Sequence, residues 1–176
     1  MDDEAAIEQC RAGNADAFRQ IVERYETEAM GHALVIAGNR QDAEDAVLEA
    51  FIKAFRALPR FEAGRRFYPW FYTILRHCCF RCVARRPAAV SLPDPPPEIL
   101  AAATDEKGEW QGQLLGEGLA RLSAEDRELI TLKHLDGLSY AALAERLEIP
   151  PGTVMSRLYH ARQRLRAEVN RLRQEL

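Results

Sequence analysis

Four prolines crowd into five residues, Pro93, Pro95, Pro96 and Pro97, midway along a 176-residue chain whose remaining pattern is helical. Proline supplies no amide hydrogen and fixes φ, so no helix runs through that stretch. Residues 87–109 therefore read as an extended linker, longer than the connections that join helices within one compact unit. The chain splits into two helical blocks, predicted as domains at 1–86 and 110–176. The fold class that follows is all-α, with two small helical domains joined by a proline-rich segment.

Apolar spacing fills in the blocks. Ile7, Ala15, Phe18 and Ile21–Val22 mark helical structure over about 4–22, broken by a turn at Gly13-Asn14. A second helix over about 22–37 stops at Gly38-Asn39, a good C-terminal signal. From Asp42, the residues Ala43, Ala46, Val47, Ala50, Phe51, Ala54 and Phe55 recur at three- and four-residue steps and predict one buried face. Pro59 ends that helix. A fourth runs over about 68–86, with Phe71, Ile74, Leu75, Cys78 and Cys82 on its apolar side. In the second block a long helix starts near Trp110, breaks near Leu122-Ser123 and continues to His134.

No apolar run approaches the roughly 18–20 residues that cross a bilayer. The N-terminus, Met1-Asp2-Asp3-Glu4, is acidic where a secretory leader is basic. Both features predict a cytoplasmic protein without membrane insertion. The net charge of −3 is no nucleic-acid signature, but its distribution is uneven. Residues 62–86 carry six arginines against Glu62 alone, and residues 153–173 six arginines against Glu168 alone. Two basic stripes suit two contacts with a phosphate backbone, and they equally suit two solvated helix faces.

The most informative segment is 136–172. Asp136-Gly137-Leu138-Ser139 is a turn, with the Ser139 hydroxyl placed to cap a short helix over 140–147. Glu148-Ile149-Pro150 links it to a second helix that starts near Pro151. Val154, Leu158, Ala161, Leu165, Val169 and Leu172 form that helix's inner stripe. Two helices across so short a turn fit a DNA-reading helix-turn-helix, and a plain helical hairpin with a basic outer face gives the same pattern. With Val154 and Leu158 inward, Thr153, Met155, Ser156, Arg157, Tyr159 and His160 remain for a major groove. Arg162, Arg164 and Arg166 follow as phosphate anchors.

Residues 61–86 interleave Phe61, Phe67, Tyr68, Trp70, Phe71, Tyr72 and Phe80 with arginines that include Arg65, Arg66, Arg81 and Arg85. Stacking faces beside cations suit unpaired bases. Core packing explains Trp70, Phe71 and Ile74 as well, but a core has no need of the arginines.

His77, Cys78, Cys79 and Cys82 raise a metal reading through the Cys79-x-x-Cys82 spacing. On a helix, residues 78 and 82 share a face while 79 points roughly 100° away. The expectation is buried thiols, with no metal and no cofactor. The chain shows neither a Gly-rich phosphate loop nor a nucleophile motif, and its histidines at 32, 77, 134 and 160 are scattered. Nothing predicts an enzyme.

At this point the sequence resembles a family. NRQDAEDAVLEAFIKAFRAL (39–58) resembles the region 2 helix of extracytoplasmic-function (ECF) sigma factors, and FYPWFYTILRHCCFRCVARR (67–86) the minus-10-reading helix that follows it. The stretch 122–165, with GLSYAALAERL and GTVMSRLYHARQRL, resembles region 4. The resemblance implies a subunit that binds core RNA polymerase and directs it to promoter DNA. It implies that Asp42, Asp45, Glu49, Phe51 and Phe55 face the beta-prime coiled coil, and that the beta subunit is a second polymerase contact. It implies that the loop from Phe61 to Arg66 and the helix bearing Trp70, His77, Arg81 and Arg85 capture and read minus-10 bases. Thr153 to Arg162 become the minus-35 reader, and an anti-sigma factor becomes an expected partner. A stand-alone helix-turn-helix regulator that binds a palindrome without polymerase is the alternative.

Departures from the family pattern fall at four positions. His77 stands where Asn is common, Arg81 where Asp is frequent, and Met155 where Lys or Arg is usual. Glu148 replaces a turn glycine, which predicts an altered turn if the backbone there is left-handed.

Overall fold

In a computed structural model, residues 3–62, 64–85 and 106–175 are described, without the side chains of 106–112. Among them every regular element is a helix: α1 (Asp3–Arg11), α2 (Phe18–Ala37), α3 (Arg40–Ala57), α4 (Phe67–Arg85), α5 (Glu106–Ala120), α6 (Ala124–His134), α7 (Tyr140–Leu147) and α8 (Pro151–Glu175). Short 3₁₀ turns at Ala15–Ala17 and Leu58–Arg60 precede α2 and follow α3. Residues 87–105 of the predicted linker lie outside the described residues. Its last four, 106–109, already belong to α5.

Local chemistry places the boundaries. Gly38 takes φ 74°, a left-handed angle that glycine adopts without strain, and its N–H reaches Leu34 O at 2.8 Å to close α2. Asn39 then caps α3, its side-chain oxygen accepting from Asp42 N at 2.9 Å. The sequence placed the start of α2 at Val22. The structure begins it at Phe18, because the 3₁₀ turn leads straight into the helix.

Helices α2, α3 and α4 pack on one another, and α1 lies against α2 and the 58–60 turn. Ala43, Ala46, Ala50 and Ala54 have no exposed surface, so α3 presents a row of small side chains to its neighbours. That row lets the large α4 residues Phe67, Phe71, Tyr72 and Leu75 reach the centre. Phe55, read from the sequence as part of this buried face, is 39% exposed and belongs to the outer surface.

In the second block α8 is the spine that α5, α6 and α7 pack against. Gly118 of α5 sits so close to α8 that a Cβ there would meet Val169 Cγ2 at 2.8 Å. The two blocks touch, since α6 packs on α2 and α7 on α4. Their apolar residues form one continuous buried cluster.

Candidate nucleic-acid interface and partner surfaces

Among the described residues, the outer side of α3 leaves three large apolar side chains open. Leu48, Ile52 and Phe55 follow each other at four and three residues and are 64%, 43% and 39% exposed. They border a groove of about 780 Å³ against Val22 and Met30 of α2. Of the residues expected to face polymerase, Phe55 and Asp45 are exposed. Asp42 completes the α3 cap, its carboxylate accepting from Asn39 Nδ2 at 2.9 Å. Glu49 pairs with Lys53 at 3.1 Å and with Arg81.

Phe51 sits deeper than the expectation placed it. It is 6% exposed and stacks on Phe71 with ring centroids 4.5 Å apart, so it packs the core and lines the groove only from below. Sequence reasoning missed Leu48 and Ile52. The signal was present as a second apolar stripe at 48, 52 and 55, beside the stripe of small residues.

The loop between the 58–60 turn and α4 is pinned from below. Arg11 of α1 donates to Leu58 O at 3.2 Å and to Phe61 O. Phe61 is not an open stacking platform. It is 6% exposed, with its ring 4.8 Å from Trp70 and 6.1 Å from Phe67. Beyond it Arg65 and Arg66 are exposed, Arg65 in an open pair with Glu62 at 2.7 Å. On α4, Trp70, His77 and Arg81 recur at seven and four residues and share one face. Trp70 is half-buried and His77 and Arg85 are open. The guanidinium of Arg81 is held by Glu49 of α3, which ties the aromatic-basic helix to the apolar α3 surface.

Cys78 and Cys79 are fully buried. Burial pushes both thiols up, most strongly at Cys79, so the thiolate that ligates metals is disfavoured. Among the described residues no group of His, Cys, Asp or Glu is arranged to hold a metal.

The helix-turn-helix is formed by α7 and α8. The Ser139 hydroxyl accepts from Ala142 N at 3.1 Å and starts α7. Glu148 ends it in the left-handed region, φ 55° and ψ 41°. The turn expected to be altered instead keeps this geometry, with a glutamate in a strained position. Leu143, Val154, Leu158 and Ala161, at most 1% exposed, lock the two helices together. Met155, Ser156, Arg157, Tyr159, His160 and Arg162 point outward, and Thr153 is half-buried.

Two of the predicted cations are engaged. Arg162 donates to His134 Nε2 at 3.0 and 3.2 Å. Arg164 forks onto Asp126 at 2.7 and 3.0 Å and braces α8 on α6. The Arg164 side chain nevertheless stays 58% exposed at the surface. Arg166 remains exposed.

Where the blocks meet, α6 inserts charge into α2 and α4. Arg127, 4% exposed, donates to Val35 O at 2.8 Å, Ile36 O at 3.1 Å, Ala120 O at 3.1 Å and Leu122 O at 2.8 Å. Its guanidinium thus satisfies carbonyls that the end of α2 leaves without helical partners. His32 bridges Tyr68 OH and the Asp136 carboxylate at 2.8 Å each. Arg146 of α7 lies over the Tyr72 ring at 4.8 Å.

Comparison with known proteins defines the class. Residues 21–87 match the family model described as Sigma-70 region 2, and residues 112–165 the one described as Sigma-70, region 4. The chain is 30% identical to the ECF RNA polymerase sigma-E factor of Haemophilus influenzae, over 98% of this chain and 97% of that one. Its fold is similar to CnrH, solved in complex with the cytosolic domain of CnrY, with a TM-score of 0.65 at 27% identity over 96% and 97% of the two chains. It is also similar to the sigma factor RpoE of Bartonella quintana, solved with the anti-sigma factor NepR, with a TM-score of 0.66 at 26% identity over 87% and 96%. This chain belongs to the ECF sigma factors, the subunits through which RNA polymerase initiates transcription at promoters.

Proposed function

We propose that three surfaces of this chain divide the work of promoter-specific initiation. The outer face of α3, with Leu48, Ile52 and Phe55, docks core polymerase on its beta-prime coiled coil, with Asp45 and Glu49 at the rim. The loop from Phe61 to Arg66 and the α4 face with Trp70, His77 and Arg85 meet the minus-10 bases. The first turns of α8, from Thr153 to Arg162, read the minus-35 element in duplex DNA. The functional units are residues 1–86 and 110–176, joined by 87–109.

One observation carries this reading. Among the described residues, Leu48, Ile52 and Phe55 stand exposed together on α3, and Met155 and Tyr159 stand exposed together on α8. Exposed apolar surface of that kind marks a partner site. Phe61 acts from within, as the packed floor under the Arg65–Arg66 loop. The chain performs no catalysis of its own and acts in the cytoplasm, where core polymerase is found. An anti-sigma factor is a further partner, a reading supported by the NepR complex of the Bartonella quintana relative, and the α3 groove is the surface it would cover.

The test mixes the purified chain with bacterial core polymerase and maps transcription starts on a genomic library. Discrete starts that share two spaced, asymmetric elements are expected. Binding to a palindromic duplex with no requirement for polymerase would overturn the reading.

A further inference from the structure

We propose that Met155 and Tyr159 read the C5-methyl groups of thymines in the minus-35 element. The inference rests on α8 being the minus-35 reader and adds which base chemistry it selects.

The exposed large apolar side chains fall into few groups. Three line α3, and a second cluster is the pair Met155 and Tyr159, each 59% exposed. They stand four residues apart, on one face of α8 and within its first three turns. Their separation along the axis is about 6 Å, at a rise of roughly 1.5 Å per residue. Two base steps on one DNA strand span about 6.8 Å, at roughly 3.4 Å each. The pair therefore matches the spacing of stacked bases along a groove.

The backbone that carries the pair is rigid. Val154, Leu158 and Ala161 of the same helix are buried in the core, and Arg164 is forked onto Asp126. The polar side chains around the pair are partly spent. Ser156 donates its hydroxyl to Thr153 O at 3.1 Å, and Arg162, three residues past Tyr159, is engaged with His134. What the face offers is the Met155 thioether and the Tyr159 ring, with Arg157 and His160 beside them.

The surrounding charge selects the occupant. Residues 153–173 carry six arginines and one acid, which suits a polyanion rather than a second apolar protein surface. In the major groove the apolar feature is the thymine methyl, and apolar side chains read it by contact. A soft thioether at 155, where the family usually has Lys or Arg, exchanges a cation for such a contact.

The test uses holoenzyme assembled from this chain and core polymerase, on a promoter recovered by start-site mapping. Each thymine of the upstream element is replaced singly by deoxyuridine, which lacks only the methyl. Binding is expected to fall about fourfold at one or two positions, the effect of exposing one methyl-sized group. Met155→Ala should abolish that sensitivity at one position and Tyr159→Ala at the other. The proposal is overturned if every uracil substitution is neutral while changes of base pair in the element still abolish initiation. It is also overturned if Met155→Ala weakens the core complex equally on thymine and uracil promoters, which would make the pair a protein contact. If scrambling the whole upstream element changes nothing, the reading of α8 itself has failed.

Discussion

Tyr72 of α4 donates its phenolic hydrogen to Glu128 of α6 at 2.8 Å, across the seam between the two blocks of helices. The same carboxylate oxygen accepts from Arg76 Nε at 2.7 Å, and Glu128 is only 2% exposed. Its neighbour Arg127 spends its guanidinium on four backbone carbonyls, two of them in α2. Adjacent residues of opposite charge thus enter the other block together, each with its partners waiting. Removing one side of such an arrangement strands the other in a dry seam.

Truncation at the seam should therefore be expensive. Arg127→Leu is expected to lower the unfolding free energy by at least about 3 kcal/mol, because several buried carbonyls lose their donor at once. Tyr72→Phe should cost about 2 kcal/mol, one hydrogen bond to a charged acceptor, since Arg76 still holds Glu128. Urea unfolding of the three proteins gives both numbers. Equal stabilities would mean that the seam is not closed in solution.

Acidity should tighten the same seam. Burial raises the Glu128 carboxyl above its ordinary value of 4.5, and the opposing pull of Arg76 and Tyr72 does not cancel it. Glu28, close to His32 and Asp136, shifts the same way for the same reason. Between 4.5 and the raised folded value, the folded chain binds more protons than the unfolded one. Stability from this source therefore rises as pH falls through that window, levels off below 4.5, and is lost as pH climbs through the folded value. Unfolding free energies at several values between pH 7 and pH 5 should show wild type gaining on Glu128→Gln as pH falls. Parallel curves would contradict the assignment.

The outer and inner faces of α3 should respond in opposite ways. Leu48 is 64% exposed, so Leu48→Glu should leave stability within about 0.5 kcal/mol of wild type. On the proposed docking role it should weaken the complex with core polymerase at least tenfold. Phe51→Ala, deep in the core, should instead cost about 3–5 kcal/mol of folding stability. Paired melts and polymerase binding assays separate the two. If Leu48→Glu binds core polymerase normally, the apolar stripe serves another partner.

The α3 case also shows what the sequence made legible. Buried faces were readable from periodicity because core positions repeat with the helix, as Ala43, Ala46 and Ala50 do. Where a helix carries two apolar stripes, periodicity alone does not say which faces inward. Phe51 and Phe55 were assigned together for that reason, and only the packing of α2 and α4 separates them. The helix-turn-helix was legible because its constraints are local: a cap at Ser139, a short link and proline at the start of α8. The seam was not. Arg127 and Glu128 look like ordinary surface residues of an amphipathic helix, and their partners in the other block lie 52 to 92 residues away. Arg164, a phosphate anchor by sequence, also pairs with Asp126, 38 residues away, while its side chain stays exposed.

The turn of the helix-turn-helix stores a modest strain that can be released. Glu148 at φ 55° places a Cβ where L-residues clash with the carbonyl that follows. Glu148→Gly removes that clash and should raise stability by about 1 kcal/mol, part of the gain being offset by glycine's freedom in the unfolded chain. Ser139→Ala, at the other end of α7, should lose about 1 kcal/mol with the cap. Melting curves of the two variants should move in opposite directions, and a destabilised Glu148→Gly would show that the side chain earns its place through a contact.

Cysteine chemistry gives a final check on how the first block is packed. Cys78 and Cys79 are fully buried, whereas Cys10 and Cys82 are partly accessible. A thiol reacts through its thiolate, and burial raises the thiol at 78 and more strongly at 79. Lys53, whose ammonium approaches Cys78 Sγ at 3.7 Å, opposes that rise at 78 only. Alkylation of the native protein near neutral pH should therefore modify Cys10 and Cys82 first, Cys78 slowly, and Cys79 only at the rate of global unfolding. Peptide mapping after timed exposure to iodoacetamide distinguishes the four sites. Rapid labelling of Cys79 in folded protein would mean that α4 opens from α2 and α3 without unfolding, and the rigid aromatic-basic helix proposed for minus-10 reading would have to be abandoned.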